Sequence, residues 1–173
     1  MFLRRFKEKS NQKYINSILN SRRVAIHSRP IESIGVILNY DECNKYDALR
    51  AIFKSVGILE NKVKFLTFIT DEKMTPNNWD AYFNPKNFGW KGNINNVEAQ
   101  EFIKTEFDAL ISFYKEDNLE LNMITASSKA NFKIGISNND DRLHDFIIDI
   151  KPHQIDLFKY ELIKYLKVLN KIV

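Results

Sequence analysis

Five acidic side chains, Asp41, Asp71, Glu72, Glu116 and Asp117, follow closely on apolar runs that read as β-strands. If the strands run parallel, their C-terminal ends meet along one edge, and two or three such carboxylates there could hold Mg²⁺, a hard cation that takes oxygen ligands. A plainer role competes with this one. Asp41 and Asp117 each precede a helical pattern and suit N-caps, and that reading takes precedence, so no metal is expected. Asn39, Asp41, Asp71, Asp117 and Asn138 remain the candidate ligand-binding residues of this edge.

The other reactive side chains are isolated. Cys43 falls where a helix dipole would favour thiolate, but Asp41 and Glu42 oppose that shift and no histidine is near in sequence, so it reads as a small half-buried side chain. His144 and Asp145 form an HD pair, yet His27 and His153 lack the spacing of metal ligands, and the pair reads as the start of a strand. Lys115 and Lys129 could contact an anion, although single lysines usually face solvent.

Phosphate chemistry lacks its usual frame. A dinucleotide site needs glycines in the first strand-to-helix turn, where bare backbone amides approach the pyrophosphate. Here that turn reads NYDEC, residues 39–43, without glycine and with two carboxylates in the way. No GxxxxGK[ST] loop occurs either. No cofactor is expected, and a cation or neutral polar group suits this edge better than an anion.

The elements that would place these residues follow from periodicity. Residues 34–39 (IGVILN), 63–69, 108–114, 132–137 and 144–150 are short apolar runs of the kind buried in parallel sheets. Helices are expected from 2 to 22, from Asp41 to about 56, from a capping box at Asn95 and Glu98, from Asp117, and from Pro152 to the C-terminal end. The last carries Ile155, Phe158, Leu162, Leu166, Leu169 and Ile172 as a core stripe. Thr75 and Pro76 suggest a helical turn through Trp79, Tyr82 and Phe83, with a short strand near 88–90. Alternating strands and helices imply a three-layer Rossmann-like α/β fold: a mostly parallel sheet with helices on both faces, plus an extra basic N-terminal helix. Ligands of such sheets sit beyond the C-terminal strand ends, where strand order reverses.

Two surfaces offer alternatives to a pocket. Trp79, Tyr82, Phe88 and Trp90, with Phe83, could line a lid or partner pocket, or could cover one face of the sheet. The first 23 residues hold seven basic side chains against one acidic one, a charge of +6, and the remaining 150 residues carry −2. Phe2 and Phe6 among Arg4, Arg5, Lys7 and Lys9 could press into an anionic bilayer surface or meet a protein partner; a solvated helix docked by Ile15, Ile18 and Leu19 is the plainer account. Nucleic acid is disfavoured because the body is not basic.

With 173 residues, 44% of them hydrophobic, the chain has material for one well-packed domain, drawn here as residues 24–173 behind a basic amphipathic helix at 1–23. No run approaches the roughly 20 apolar residues of a membrane span, and the basic start lacks the apolar stretch of a secretory signal. A lone cysteine suits a reducing compartment. A cytoplasmic location follows, peripheral to the inner membrane if the helix binds lipid.

IGVILNYDEC, NFGWKG, FDALISFYKEDNLELNMITASSKANFKIGI and HDFIIDI together resemble a small family of uncharacterised Bacteroidetes proteins of about this length, over nearly the whole chain. That resemblance implies no activity and no site residues. The strand, small-residue helix and strand at 108–137 are also similar to the N-terminal domain of heptosyltransferase-type glycosyltransferases. Those enzymes bind their nucleotide-sugar largely through a second domain for which this chain has no room, so only the fold is implied. The expected function is non-catalytic binding, with a small-molecule-binding or transferase-like enzyme as the alternative.

Overall fold

Short runs of β-branched and aromatic residues form the centre of the molecule. The computed structural model describes residues 1–71, 73–74 and 80–173. Its strands are β1 (Ile34–Asn39), β2 (Val63–Phe68), β3 (Ala81–Phe83), β4 (Ala109–Phe113), β5 (Phe132–Gly135) and β6 (Phe146–Ile147). They form one sheet in the order β3-β2-β1-β4-β5-β6 with every neighbour parallel, the order of doubly wound nucleotide-binding sheets. The register places Val36 between Phe65 and Ile111, and every residue of β1 and β4 is buried. Both faces of these central strands must therefore be covered, which is why they read as continuous apolar runs.

Five α-helices among the described residues supply the cover: α1 (Phe2–Ser21), α2 (Tyr46–Ser55), α3 (Val97–Lys104), α4 (Leu119–Ser127) and α5 (Ile155–Val168). Leu49, Ile52 and Phe53 of α2 and Phe158, Leu162 and Leu166 of α5 pack on one face with Val36, Leu38, Ile111 and Phe113. On the other face Ile15 and Leu19 of α1, Phe102 of α3, and Leu121 and Ile124 of α4 meet Ile37, Leu66 and Leu110. The expected Rossmann-like α/β layering and the N-terminal helix are both present.

Gly35 shows how tightly the second layer is packed. A Cβ there would stand 2.7 Å from the Phe107 ring and 2.8 Å from Phe102, well inside contact distance. Gly35→Ala is expected to lower stability by about 2 kcal/mol, since a full core must shift to admit one carbon. A urea midpoint unchanged by this substitution would contradict the packing.

Several expected boundaries move, each for a local reason. The helix expected from Asp41 begins at Tyr46, with Lys45 at its N-cap and no side-chain cap. Residues 40–42 form a turn in which the amides of Glu42 and Cys43 donate to the Asn39 carbonyl. Asn118, not Asp117, caps α4 through its bond from the Leu121 amide, and Asn96, not Asn95, caps α3. Pro152 lies in a turn ahead of α5 and not in its first helical turn. Tyr82 and Phe83 are in β3, not in a helical turn, because Phe83 is needed in the core, where it is fully buried; Trp79, Thr75 and Pro76 lie outside the described residues. Near 88–90 there is a single antiparallel bridge from Phe88 to Ile94. The strand expected over 144–150 shrinks to Phe146–Ile147; at its start the Asp145 carboxylate accepts the Lys133 amide at 2.8 Å, in the place a strand carbonyl would take.

Candidate functional site

From β1 the chain crosses to α2 on one face of the sheet, and from β4 to α4 on the other. The C-terminal ends of β1 and β4 therefore border the crevice where ligands of doubly wound sheets collect. On one side stand Asn39, Tyr40, Asp41 and Glu42, and on the other Tyr114, Lys115, Glu116 and Asp117.

This crevice is filled from within. The Glu42 carboxylate accepts the backbone N–H of Lys115 through both oxygens at 3.0 Å, and that of Glu116 at 3.0 Å. Two adjacent amides facing one acceptor make the kind of concavity that holds an anion in phosphate-binding folds, and here the chain's own side chain sits in it. Burial raises the Glu42 pKa, with the nearby Glu116 charge adding to it, although the amide bonds pull the other way.

The neighbouring polar groups are paired too. Asn39 is 2% exposed; its amide nitrogen donates to Glu116 at 3.2 Å, and its oxygen accepts the Asp41 amide. Lys115 spans the next gap, donating to the Ile136 carbonyl at 3.0 Å and pairing with Asp149, while its own carbonyl accepts from Asn139. Beneath the crevice Tyr114 and Ser112 share Thr125 as a hydroxyl partner at 2.8 and 3.1 Å. Burial pushes the Tyr114 phenol well above its ordinary value, so it stays neutral.

The acidic residues singled out from the sequence make separate local bonds. Asp41 accepts from the Thr70 hydroxyl, Asp71 from the Lys73 amide, and Asp117 from the Asn122 side chain. Glu72 lies outside the described residues, and Asn138 follows the buried Ser137 just past β5. Among the described residues no three His, Cys, Asp or Glu side chains are grouped to hold a metal ion. Cys43 is a buried free thiol whose pKa burial raises, the reverse of an activated nucleophile.

Of the aromatic group, Phe88 is buried and packs on Phe83 with ring centroids 5.8 Å apart, whereas Tyr82 and Trp90 are exposed. Trp79 is outside the described residues. The N-terminal helix lies along α4 and is anchored by polar bonds to the 88–92 loop. Asn11, 2% exposed, donates to the Gly89 carbonyl and accepts the Gly92 amide, both at 3.0 Å, and Lys7 donates to the Phe88 carbonyl at 3.2 Å. Gly92 has φ of 78°, and a Cβ there would lie 2.2 Å from the Tyr14 ring, so this glycine allows both the turn and the contact. Beyond the anchor the first turn projects: Phe2 is 80% and Phe6 57% exposed, beside Arg4, Arg5 and Lys9.

Two features escaped the sequence reading. Glu42 has a larger part than Asp41, its only advance signal being an acidic, glycine-free turn. The second is a buried basic pair. Lys133, 2% exposed, donates to the Thr125 and Ala126 carbonyls at the end of α4 at 2.7 and 3.3 Å. Burial brings its pKa down to about 7, aided by the nearby Arg22 charge. His144 lies over Gly135, where a Cβ would fall 2.4 Å from its ring, and both its nitrogens are buried without a hydrogen-bond partner. Its burial, and next the neighbouring Lys133 charge, lower its pKa to about 4.

No curated protein and no solved structure matches the chain. A family model does match, over residues 7–169, from the second turn of α1 to the end of α5. The chain therefore belongs to the family of unknown function DUF6913.

Proposed function

We propose that the chain is a non-catalytic binding protein of the cytoplasm, a single α/β domain that docks on the anionic inner face of a membrane through the first turns of α1. The observation that carries this reading is the exposure of Phe2, Leu3 and Phe6, each more than half accessible, on a helix whose later turns are firmly packed. Arg4, Arg5 and Lys9 stand in the same turns of the helix. Lys9, Lys13 and Lys91 also border a groove of about 510 Å³ with Phe6 and Tyr14. Apolar rings that enter the headgroup layer while cations stay at its surface are the chemistry of interfacial helices. Trp90, 47% exposed in the loop bound to α1, supplies an amphipathic ring suited to the same depth. No helix among the described residues is long and apolar enough to cross a membrane, so binding of this kind rests on the surface.

A second reading places a small molecule at the C-terminal strand edge, through Asn39, Asp41, Asp71, Asp117 and Asn138. Glu42 on the Lys115 and Glu116 amides disfavours an anion there and leaves a cation or neutral polar ligand. The likeness to heptosyltransferase-type domains adds only the strand-helix-strand order of β4, α4 and β5 to this reading.

Flotation with vesicles containing phosphatidylglycerol tests the docking. The full chain is expected to float at low salt and to be released at 0.5 M salt, on the order of the screening expected for surface charges. The double substitution Phe2→Ser and Phe6→Ser should weaken partitioning at least about tenfold, since each ring buries apolar surface worth more than 1 kcal/mol. Equal flotation of the two chains, or equal binding to neutral phosphatidylcholine vesicles, would sink the proposal.

A further inference from the structure

The opposite edge of the sheet carries a second, unrelated basic feature. After α1 ends at Ser21 the chain runs on from Arg22 to Arg29 as a strap. The strap is held in place. Asn131 donates to the Ala25 carbonyl and accepts the His27 amide, both at 2.8 Å, Lys171 donates to the His27 carbonyl, and Arg29 pairs with Asp108 at 2.9 Å. Asp108 in turn accepts the amides of Glu32 and Ser33, and its pKa is lowered by these bonds and by Arg29, against the effect of burial.

Beneath the strap, against the entries to β4 and β5, is an open pocket of about 350 Å³. Arg22, Arg23, His27, Arg29 and Lys129 line it, with Glu106 as the sole acidic lining residue. Arg22 is neutralised by Asp145 at 2.7 Å and Arg29 by Asp108. Arg23 and Lys129 have no carboxylate partner among the described residues, and the His27 ring makes no hydrogen bond there. These cations line one concavity whose backbone is pinned before any ligand arrives, which lowers the ordering cost of binding. The volume is at the small end of ligand pockets.

We infer that this pocket binds a compact, multiply charged oxyanion, the phosphate or diphosphate portion of a small soluble molecule, with Arg23 and Lys129 as the principal contacts. Arginine offers a planar fork of donors to phosphate oxygens and lysine a point charge. The site lies at the C-terminal end of α1, about 30 Å along a 20-residue helix from the exposed phenylalanines, so it does not depend on membrane docking. It also lies at the N-terminal strand edge, away from the crevice that Glu42 closes.

Calorimetric titration of the full chain with inorganic pyrophosphate tests the site, with sodium chloride of matched ionic strength as the reference. Saturable binding is expected, weakened about tenfold by Arg23→Ala or by Lys129→Ala alone, the loss of one charge-assisted contact, and removed by the two together. Both side chains are exposed, so the variants should fold, and circular dichroism checks this. Lys91→Ala should leave the titration unchanged. No binding beyond the salt reference, or binding indifferent to the double variant, would overturn the inference. So would loss of vesicle flotation in the double variant without any pyrophosphate binding, because the anion would then be a lipid headgroup.

Discussion

Between pH 6.5 and about 4 the folded protein is expected to lose about 3 kcal/mol of stability to one side chain, His144, whose folded pKa is lowered to about 4. The sign follows from where the proton is accepted. The unfolded chain protonates this imidazole near 6.5, whereas the folded chain would have to place the charge in a buried site beside Lys133 and Arg22, with only Asp145 and Asp140 acting in its favour. Stability is therefore fully present above pH 6.5 and drains away as pH falls through the folded value. Lys133 extends the slope upward. Its folded pKa of about 7 lies below the ordinary 10.5, so the unfolded chain holds the extra proton in between, and stability should rise by about 2 kcal/mol from pH 7 to 8.5. Well above that range Cys43 and Tyr114, whose pKa values burial raises, act in the opposite sense. Urea denaturation at pH 4.5, 6.5, 7 and 8.5, with the His144 ring followed by NMR, measures both effects. A His144 ring titrating near 6.5 in the folded protein would disprove the account.

Removal of the Glu42 carboxylate should have the second large effect. Glu42→Ala leaves the Lys115 and Glu116 amides without their acceptor at a half-buried edge, at a cost of about 2 kcal/mol. Glu42→Gln, which keeps one acceptor oxygen, should lose less. The vacated amides would then face solvent as an anion site, and acetate at high concentration should restore part of the stability of Glu42→Ala while leaving the native chain unaffected. A variant as stable as the native chain, or indifferent to acetate, would show that the carboxylate is not what satisfies these amides. In a sheet with nucleotide-binding strand order, these bonds occupy the Lys115 and Glu116 amides with an acceptor that is intramolecular and at effectively high local concentration.

Much of this architecture is written into local pattern. The largely apolar runs at 34–39, 63–68 and 109–113 read as strands covered on both faces, and the 3.6-residue stripes of α2 and α5 as their cover. Chain direction was legible for the central strands, because a helix between neighbouring strands favours a parallel crossover. The chemical character of the crest was also legible, since NYDEC offers carboxylates and no glycine. Boundaries were less so. Whether Asp41 or Lys45 opens a helix depends on a competing partner 73 residues away, Lys115, whose amide draws Glu42 across the crevice. Likewise Phe83 enters a strand because β2 and the core of the second layer need it, a demand that no window of neighbouring residues contains.

The sequence by itself determined the layers, the parallel sheet, the basic N-terminal helix and the acidity of the strand edge, because each depends on periodicity or composition within one element or on the order in which elements alternate. Only the tertiary structure decided that Glu42 fills the switch-point crevice, that Lys133 and His144 share a buried site, and that Arg23 and Lys129 converge on one pocket. Those arrangements join side chains from distant segments, and burial and charge take their values only when such segments meet.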